Sequence, residues 1–166
     1  MQLEEMAEIR RIYEKHGAGG FLEGPEFTRL GVTDPERFYE NLGFILGYAE
    51  HAYESPFALE AVSLRVLLLD FMLRCYVVQK TGESIEPYSD EDKKTFGQSI
   101  GRAKRHGLPA DIVEDLWKFN KKRNARVHHF VLGRTTYQEI ADSYREADGL
   151  FERIADAMSL PPIEDF

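Results

Sequence analysis

A chain of 166 residues with 43% hydrophobic residues is long enough to bury one sizeable core and too apolar to be disordered. Its net charge of −8 argues against a general polyanion binder, and its single cysteine, Cys75, rules out an internal disulfide and a cysteine-based metal cage. Residues 1–15 are charged throughout, unlike a signal peptide. The longest apolar run, residues 66–78, is cut by Asp70 and Arg74 and is too short to span a membrane, so the expected setting is the cytoplasm.

Residues 2–16 read as an amphipathic helix with Leu3, Met6, Ile9, Ile12 and Tyr13 on one side, broken by the glycine-rich residues 17–20. Residues 21–31 add at most a short helical turn. Thr33, Asp34, Pro35 and Glu36 then form a helix start, a capping residue followed by proline and acid in the first turn. That helix runs to Glu54 and buries Phe38, Leu42, Ile45, Leu46 and Ala49. After Ser55 and Pro56, residues 57–80 form a second helix closed by Thr81 and Gly82. It is apolar nearly all round, which marks the most buried helix of a bundle. Two partners are open to its Asp70: Arg74 one turn on, or Arg123 from another helix.

Residues 83–89 are a polar loop. Residues 90–106 are a third helical region, with Phe96, Ile100 and Ala103 inward, Gly97 and Gly101 weakening it, and a basic end expected to join Lys121 and Lys122 on one surface. The next helix spans residues 110–132, with Pro109 and Asp111 suiting its start and Gly133 its end. The last helix, residues 136–158, turns Ile140, Tyr144, Ala147, Phe151 and Ile154 inward, and an acidic tail follows at 161–166. No segment alternates like a strand. The expected class is all-α, an up-and-down bundle of four main helices over residues 34–160, with an N-terminal helical extension over residues 1–33.

The fourth of these segments carries the chemistry. At about 100° per residue, Ile112, Leu116, Val127 and Phe130 share an arc with Arg123 near its middle, where a guanidinium needs a partner. Asn120, Asn124 and His128 follow at intervals of four along the flank. Between Arg102 and Arg134 there are nine basic and three acidic residues, against twelve and twenty-six elsewhere, so an acidic body carries one basic region. Lys118, Lys121, Lys122 and Arg126 are its candidate nucleic-acid contacts.

Arg123-Asn124, with a histidine four residues beyond the arginine (His128) or five (His129), resembles the motif of the HEPN family. Residues 96–100, the break at Gly107-Leu108, and Leu116 to Phe119 lead into it as in many members, and the resemblance covers residues 34–158. It implies a metal-independent endoribonuclease with no cofactor, acting in toxin–antitoxin systems or phage defence. The motifs of two subunits would meet across a homodimer cleft, and a cognate antitoxin or nucleotidyltransferase would be a partner. On that pattern Arg123 and His128 are catalytic with Asn124 supporting, and His129 is the alternative histidine; Asp70, as a partner open to Arg123, and Asn120, by its place on the wheel, are expected to support them.

The residues agree with that chemistry. RNA supplies its own nucleophile, the 2′-hydroxyl; a histidine can move the protons and an arginine can hold the phosphate charge. Metal binding is the rival use of paired histidines, but His128 and His129 point about 100° apart on a helix and no acid lies within a turn of them. His16, His51 and His106 stand alone and read as surface or cap residues. The second functional reading is a non-catalytic module that binds RNA or nucleotides or assembles proteins.

Overall fold

A computed structural model describes residues 29–54, 57–86, 89–90 and 92–158. The helix expected at 2–16, most of the turn expected at 21–31, the 55–56 break and the acidic tail lie outside these residues. The described chain forms α1 (Pro35–Glu54), α2 (Ala58–Thr81), α3 (Phe96–Arg105), α4 (Ala110–Val131) and α5 (Tyr137–Ala157), and among the described residues there is no strand. The all-α expectation holds, and no described helix is long and apolar enough to cross a membrane.

Local sequence sets the helix limits. Gly82 ends α2 with φ 68, its N–H bonding the Val78 carbonyl at 2.8 Å. Gly133 does the same after α4 at φ 66, and a capping box starts α5: Thr136 N–H donates to Glu139 Oε2 at 2.7 Å, and Glu139 N–H to Thr136 Oγ1 at 3.2 Å. The third helix is shorter than its sequence suggested, beginning at Phe96 rather than Asp90. Another capping box fixes that start, with Thr95 N–H donating to Gln98 Oε1 at 2.8 Å. The preceding chain is instead strapped to α2, where Arg74 donates to the Lys94 carbonyl at 3.1 Å and meets Asp92 at 3.5 Å.

The long helices α1, α2, α4 and α5 run up and down. Phe38 of α1 packs on Phe71 at 5.4 Å while Ala52 reaches Ala58 and Val62, so α1 and α2 are antiparallel. Along α5, the Tyr137 hydroxyl accepts from Ala58 N–H and Asp148 pairs with Arg65 at 3.0 Å, so α5 runs parallel to α2. Arg153 bonds Asp111 and Asp115 near the start of α4, whereas Phe130 near its end faces Tyr137, so α4 runs against α5. The short α3 lies in the crossover from α2 to α4.

One core gathers Leu69, Met72, Leu73, Tyr76, Ile100, Leu116, Phe119 and Ile154 from α2 to α5. A second, of small residues, joins α1, α2 and α5 through Ala49, Ala52, Ala61, Val62, Ile140 and Tyr144. Against it lies a four-layer stack. The Arg65 guanidinium sits 4.7 Å over the Tyr144 ring, Tyr144 lies 4.4 Å from Tyr53 at 9°, and Arg145 donates to the Tyr53 hydroxyl at 2.6 Å. Of the α1 residues expected inside, Ala49 is fully buried while Phe38, Leu42, Ile45 and Leu46 are half-buried, because α1 packs chiefly on α2.

Adjacent leucines of α2 test this packing. Leu69 is fully buried and Leu67 is 52% exposed. Leu69→Ala is expected to lower the unfolding free energy by about 2–5 kcal/mol, and Leu67→Ala by less than about 0.5 kcal/mol. Urea unfolding measures both, and equal losses would contradict the packing.

Candidate functional site

The motif helix divides at Phe119. Its buried residues are Ile112, Val113, Leu116 and Phe119, all in the first half. The arc expected from periodicity does not stay buried beyond them, since Val127 is 37% exposed and Phe130 half-buried. The physical reason is what lies opposite. Phe96 at the start of α3 meets Phe119 edge-on at 6.3 Å, and Gly97 faces Trp117 and Asn120, so α3 covers only the first half of α4. Among the described residues the second half is held chiefly by α5.

That contact is polar. Arg126 donates to Ser143 Oγ at 2.7 Å and meets Glu146 at 3.3 Å, and Lys122 pairs with the same carboxylate. Farther along, Arg153 lowers the carboxyl pKa of Asp111 and of Asp115 by hydrogen bonding to each. Lys118 pairs with Glu114 at 2.7 Å and Asp115 at 3.6 Å, while Arg102 turns to Glu83 at 3.6 Å. Three of the four expected nucleic-acid contacts, Lys118, Lys122 and Arg126, thus answer the chain's own acids, on faces of α4 turned from Asn120 and Asn124. Lys121 lies on the Asn124 side, exposed and without a side-chain partner among the described residues.

Arg123 is half-buried, and burial pushes its pKa below the ordinary guanidinium value. Its Nη2 donates to Asn120 Oδ1 at 3.0 Å, one turn back, and its Nε is buried without a hydrogen-bond partner. The Asn124 amide donates to the same oxygen at 3.5 Å. Of the two partners open to Asp70, the structure selects Arg74. Its Nε donates to Asp70 Oδ2 at 2.9 Å, and the other Asp70 oxygen is buried and unpartnered. The Asp70–Arg123 pair is not formed.

His128 and His129 are both exposed in the last turn of α4, and neither has a side-chain partner among the described residues. His128 stands one turn after Asn124 on its face, whereas His129 lies about 100° further round. No bond joins Arg123 to His128, which is about 7.5 Å farther along the helix axis. One chain therefore gathers Asn120, Arg123 and Asn124, and leaves His128 beside them. His51 is exposed, and His106 caps α3, as expected of isolated histidines. Among the described residues no three His, Cys, Asp or Glu side chains are grouped to hold a metal ion.

Two features went unread in the sequence. Trp117 (44% exposed), Val127 and Val131 (86% exposed) run along the Asn124 face, an apolar row next to the polar ladder. Gly97, read only as a weak point of its helix, faces α4: a Cβ there would lie in ordinary contact, 3.5 Å from Asn120 Nδ2 and 3.5 Å from the Trp117 ring. The row was visible at the seven-residue spacing from Trp117 through Asn124 to Val131; its exposure was not, since that depends on where α3 begins.

The Asp70 assignment has a direct check. Asp70→Ala and Arg74→Ala disrupt one pair, so their destabilisations are expected to deviate from additivity by about 0.5–3 kcal/mol, whereas Asp70→Ala and Arg123→Ala should add to within about 0.5 kcal/mol. Urea unfolding of single and double variants decides it, and coupling of Asp70 to Arg123 in place of Arg74 would contradict the structure.

Comparison of the chain with family models, with curated proteins and with solved structures found no match, so a functional reading rests on the residues of α4 themselves.

Proposed function

We propose that the chain is a metal-independent endoribonuclease of the HEPN type, acting in the cytoplasm as a homodimer, with a role in toxin–antitoxin or defence systems. The observation that carries the reading is the Arg123 environment. Its half-buried guanidinium is held by an amide and meets no carboxylate among the described residues, so its charge remains available to a phosphate. Asn124 and the exposed His128 stand next to it on the same half of α4.

In the proposed reaction an imidazole takes the proton of the RNA 2′-hydroxyl as its oxygen bonds to phosphorus. Arg123 balances the charge on the phosphorane, and an imidazolium protonates the departing 5′-oxygen as its bond to phosphorus breaks. The products are a 2′,3′-cyclic phosphate and a 5′-hydroxyl. The two proton transfers need two groups, and one chain offers one histidine on the Asn124 face. A second copy supplies the other when α4 meets its twofold mate, covering the row of Trp117, Val127 and Val131. An antitoxin or a nucleotidyltransferase would be the natural partner of such an enzyme.

Light scattering at micromolar concentration is therefore expected to give twice the 19.1 kDa chain mass; a monomer would contradict the two-copy site. His128→Ala and Arg123→Ala are each expected to lower cleavage by about 10²–10⁴-fold with the dimer intact, and His129→Ala to be milder. EDTA should leave activity unchanged, and a 2′-deoxy substitution at the scissile position should block it. Products with 5′-phosphate and 3′-hydroxyl ends, or activity lost to EDTA, would overturn the mechanism.

A further inference from the structure

Asn120 takes no part in the proposed proton transfers, yet it is the one side chain bonded to both other polar members of the site. Its place is informative when five of the six other partly buried arginines, those from Arg65 onward, are set beside Arg123. Arg65 meets Asp148 at 3.0 Å, Arg74 meets Asp70 at 2.9 Å, Arg126 meets Glu146 at 3.3 Å and Arg153 meets Asp115 at 2.7 Å. Arg102 meets Glu83 at 3.6 Å. Arg123 meets Asn120 at 3.0 Å. The position three residues before an arginine on a helix is where an acid readily pairs with it. Aspartate there would have the same shape as asparagine and would cancel the charge.

The amide is also oriented. Arginine only donates hydrogen bonds, so the face turned to Arg123 must be Oδ1, and the Asn124 amide donates to the same oxygen at 3.5 Å. On its other side Nδ2 faces Gly97 of α3, where a Cβ would stand 3.5 Å away in ordinary contact. The contact takes one of the five guanidinium hydrogens. With Nε buried, the uncommitted Nη1 amine and the second Nη2 hydrogen remain for a ligand. Such a pair of donors suits two oxygens of a phosphate.

We propose that Asn120 is the positioning residue of this site: its neutral oxygen fixes the Arg123 guanidinium toward an RNA phosphate without cancelling the charge the phosphate requires. Aspartate would hold the guanidinium equally well and switch it off, and alanine would leave it charged but loose. The inference rests on the reading that Arg123 meets the phosphate of RNA.

Three proteins separate the possibilities: wild type, Asn120→Asp and Asn120→Ala. Each is titrated with an oligoribonucleotide carrying 2′-deoxy sugars, so that binding is read without cleavage, over a series of salt concentrations by fluorescence anisotropy. Nitrogen NMR of the Arg123 guanidinium reports its rotation in the free protein. Asn120→Asp is expected to keep Tm and the restrained guanidinium, weaken RNA binding, and reduce the magnitude of the log–log salt slope by about 0.7, the contribution of one single-strand phosphate contact. Asn120→Ala is expected to keep the slope, free the guanidinium and lower cleavage through kcat. RNA binding unchanged by Asn120→Asp, or a guanidinium equally restrained in Asn120→Ala, would overturn the positioning role and leave the functional reading standing. A wild-type protein that binds no RNA would overturn both.

Discussion

The helix α2 has apolar side chains on every side, and the rest of the molecule is arranged to cover it. Leu68, Leu69, Met72, Leu73, Tyr76, Val77 and Val78 are all buried, and only a narrow stripe through Ser63, Leu67, Asp70 and Arg74 is turned toward water. The other helices close around it or on each other: α1 through small residues, α5 along its length, and α3 with the first half of α4 over its second half. Once Leu116 and Phe119 are in place that need is met. The chain from Asn120 to Val131 continues as helix without adding a fully buried apolar side chain to either core, which frees its surface for other chemistry.

Electrostatics separates the two sides of that free half. Toward α5, Lys122 and Arg126 of the basic region share Glu146. On the other side Arg123 is bound to an amide and Lys121 to nothing among the described residues. A half-buried cation without an acid is a poor arrangement for stability alone. Alongside it, Trp117, Val127 and Val131 expose apolar surface in a row. Uncancelled positive charge beside exposed apolar surface suits a face that closes on an anionic ligand and a second protein surface together.

The helices were legible where punctuation was strong. Gly82, Gly133 and the residues around Thr136 fixed the ends of α2, α4 and the start of α5 within a residue or two, and the apolar character of α2 announced its burial. The start of α3 was readable in principle, since Thr95 and Gln98 have capping-box spacing, but acidic turn residues from Asp90 onward resemble a helix start too. Pairings between elements were less accessible. Periodicity says which way a side chain points on its own helix and nothing about what stands opposite. Arg74, one turn from Asp70 in the same helix, was certain to be near it; Arg123 was near only if α2 and α4 touched there. The arc of Val127 and Phe130 was correctly drawn on the wheel, yet past Phe119 it meets the cores only through the half-buried Phe130 among the described residues. For the same reason the lysines of α4 looked like one basic surface until Glu146, Glu114 and Asp115 were seen beside them.

The central claim is that Arg123, kept charged by a neutral clamp, meets an RNA phosphate on the open half of α4. A crystal structure of the chain bound to a short oligoribonucleotide made uncleavable by a 2′-deoxy sugar tests it most directly. The account predicts a phosphate oxygen within hydrogen-bond distance of the Arg123 Nη atoms, Asn120 still holding Nη2, and His128 of one copy or the other beside the 2′ position. RNA bound to another surface, with the Arg123 guanidinium touching only Asn120, would contradict it.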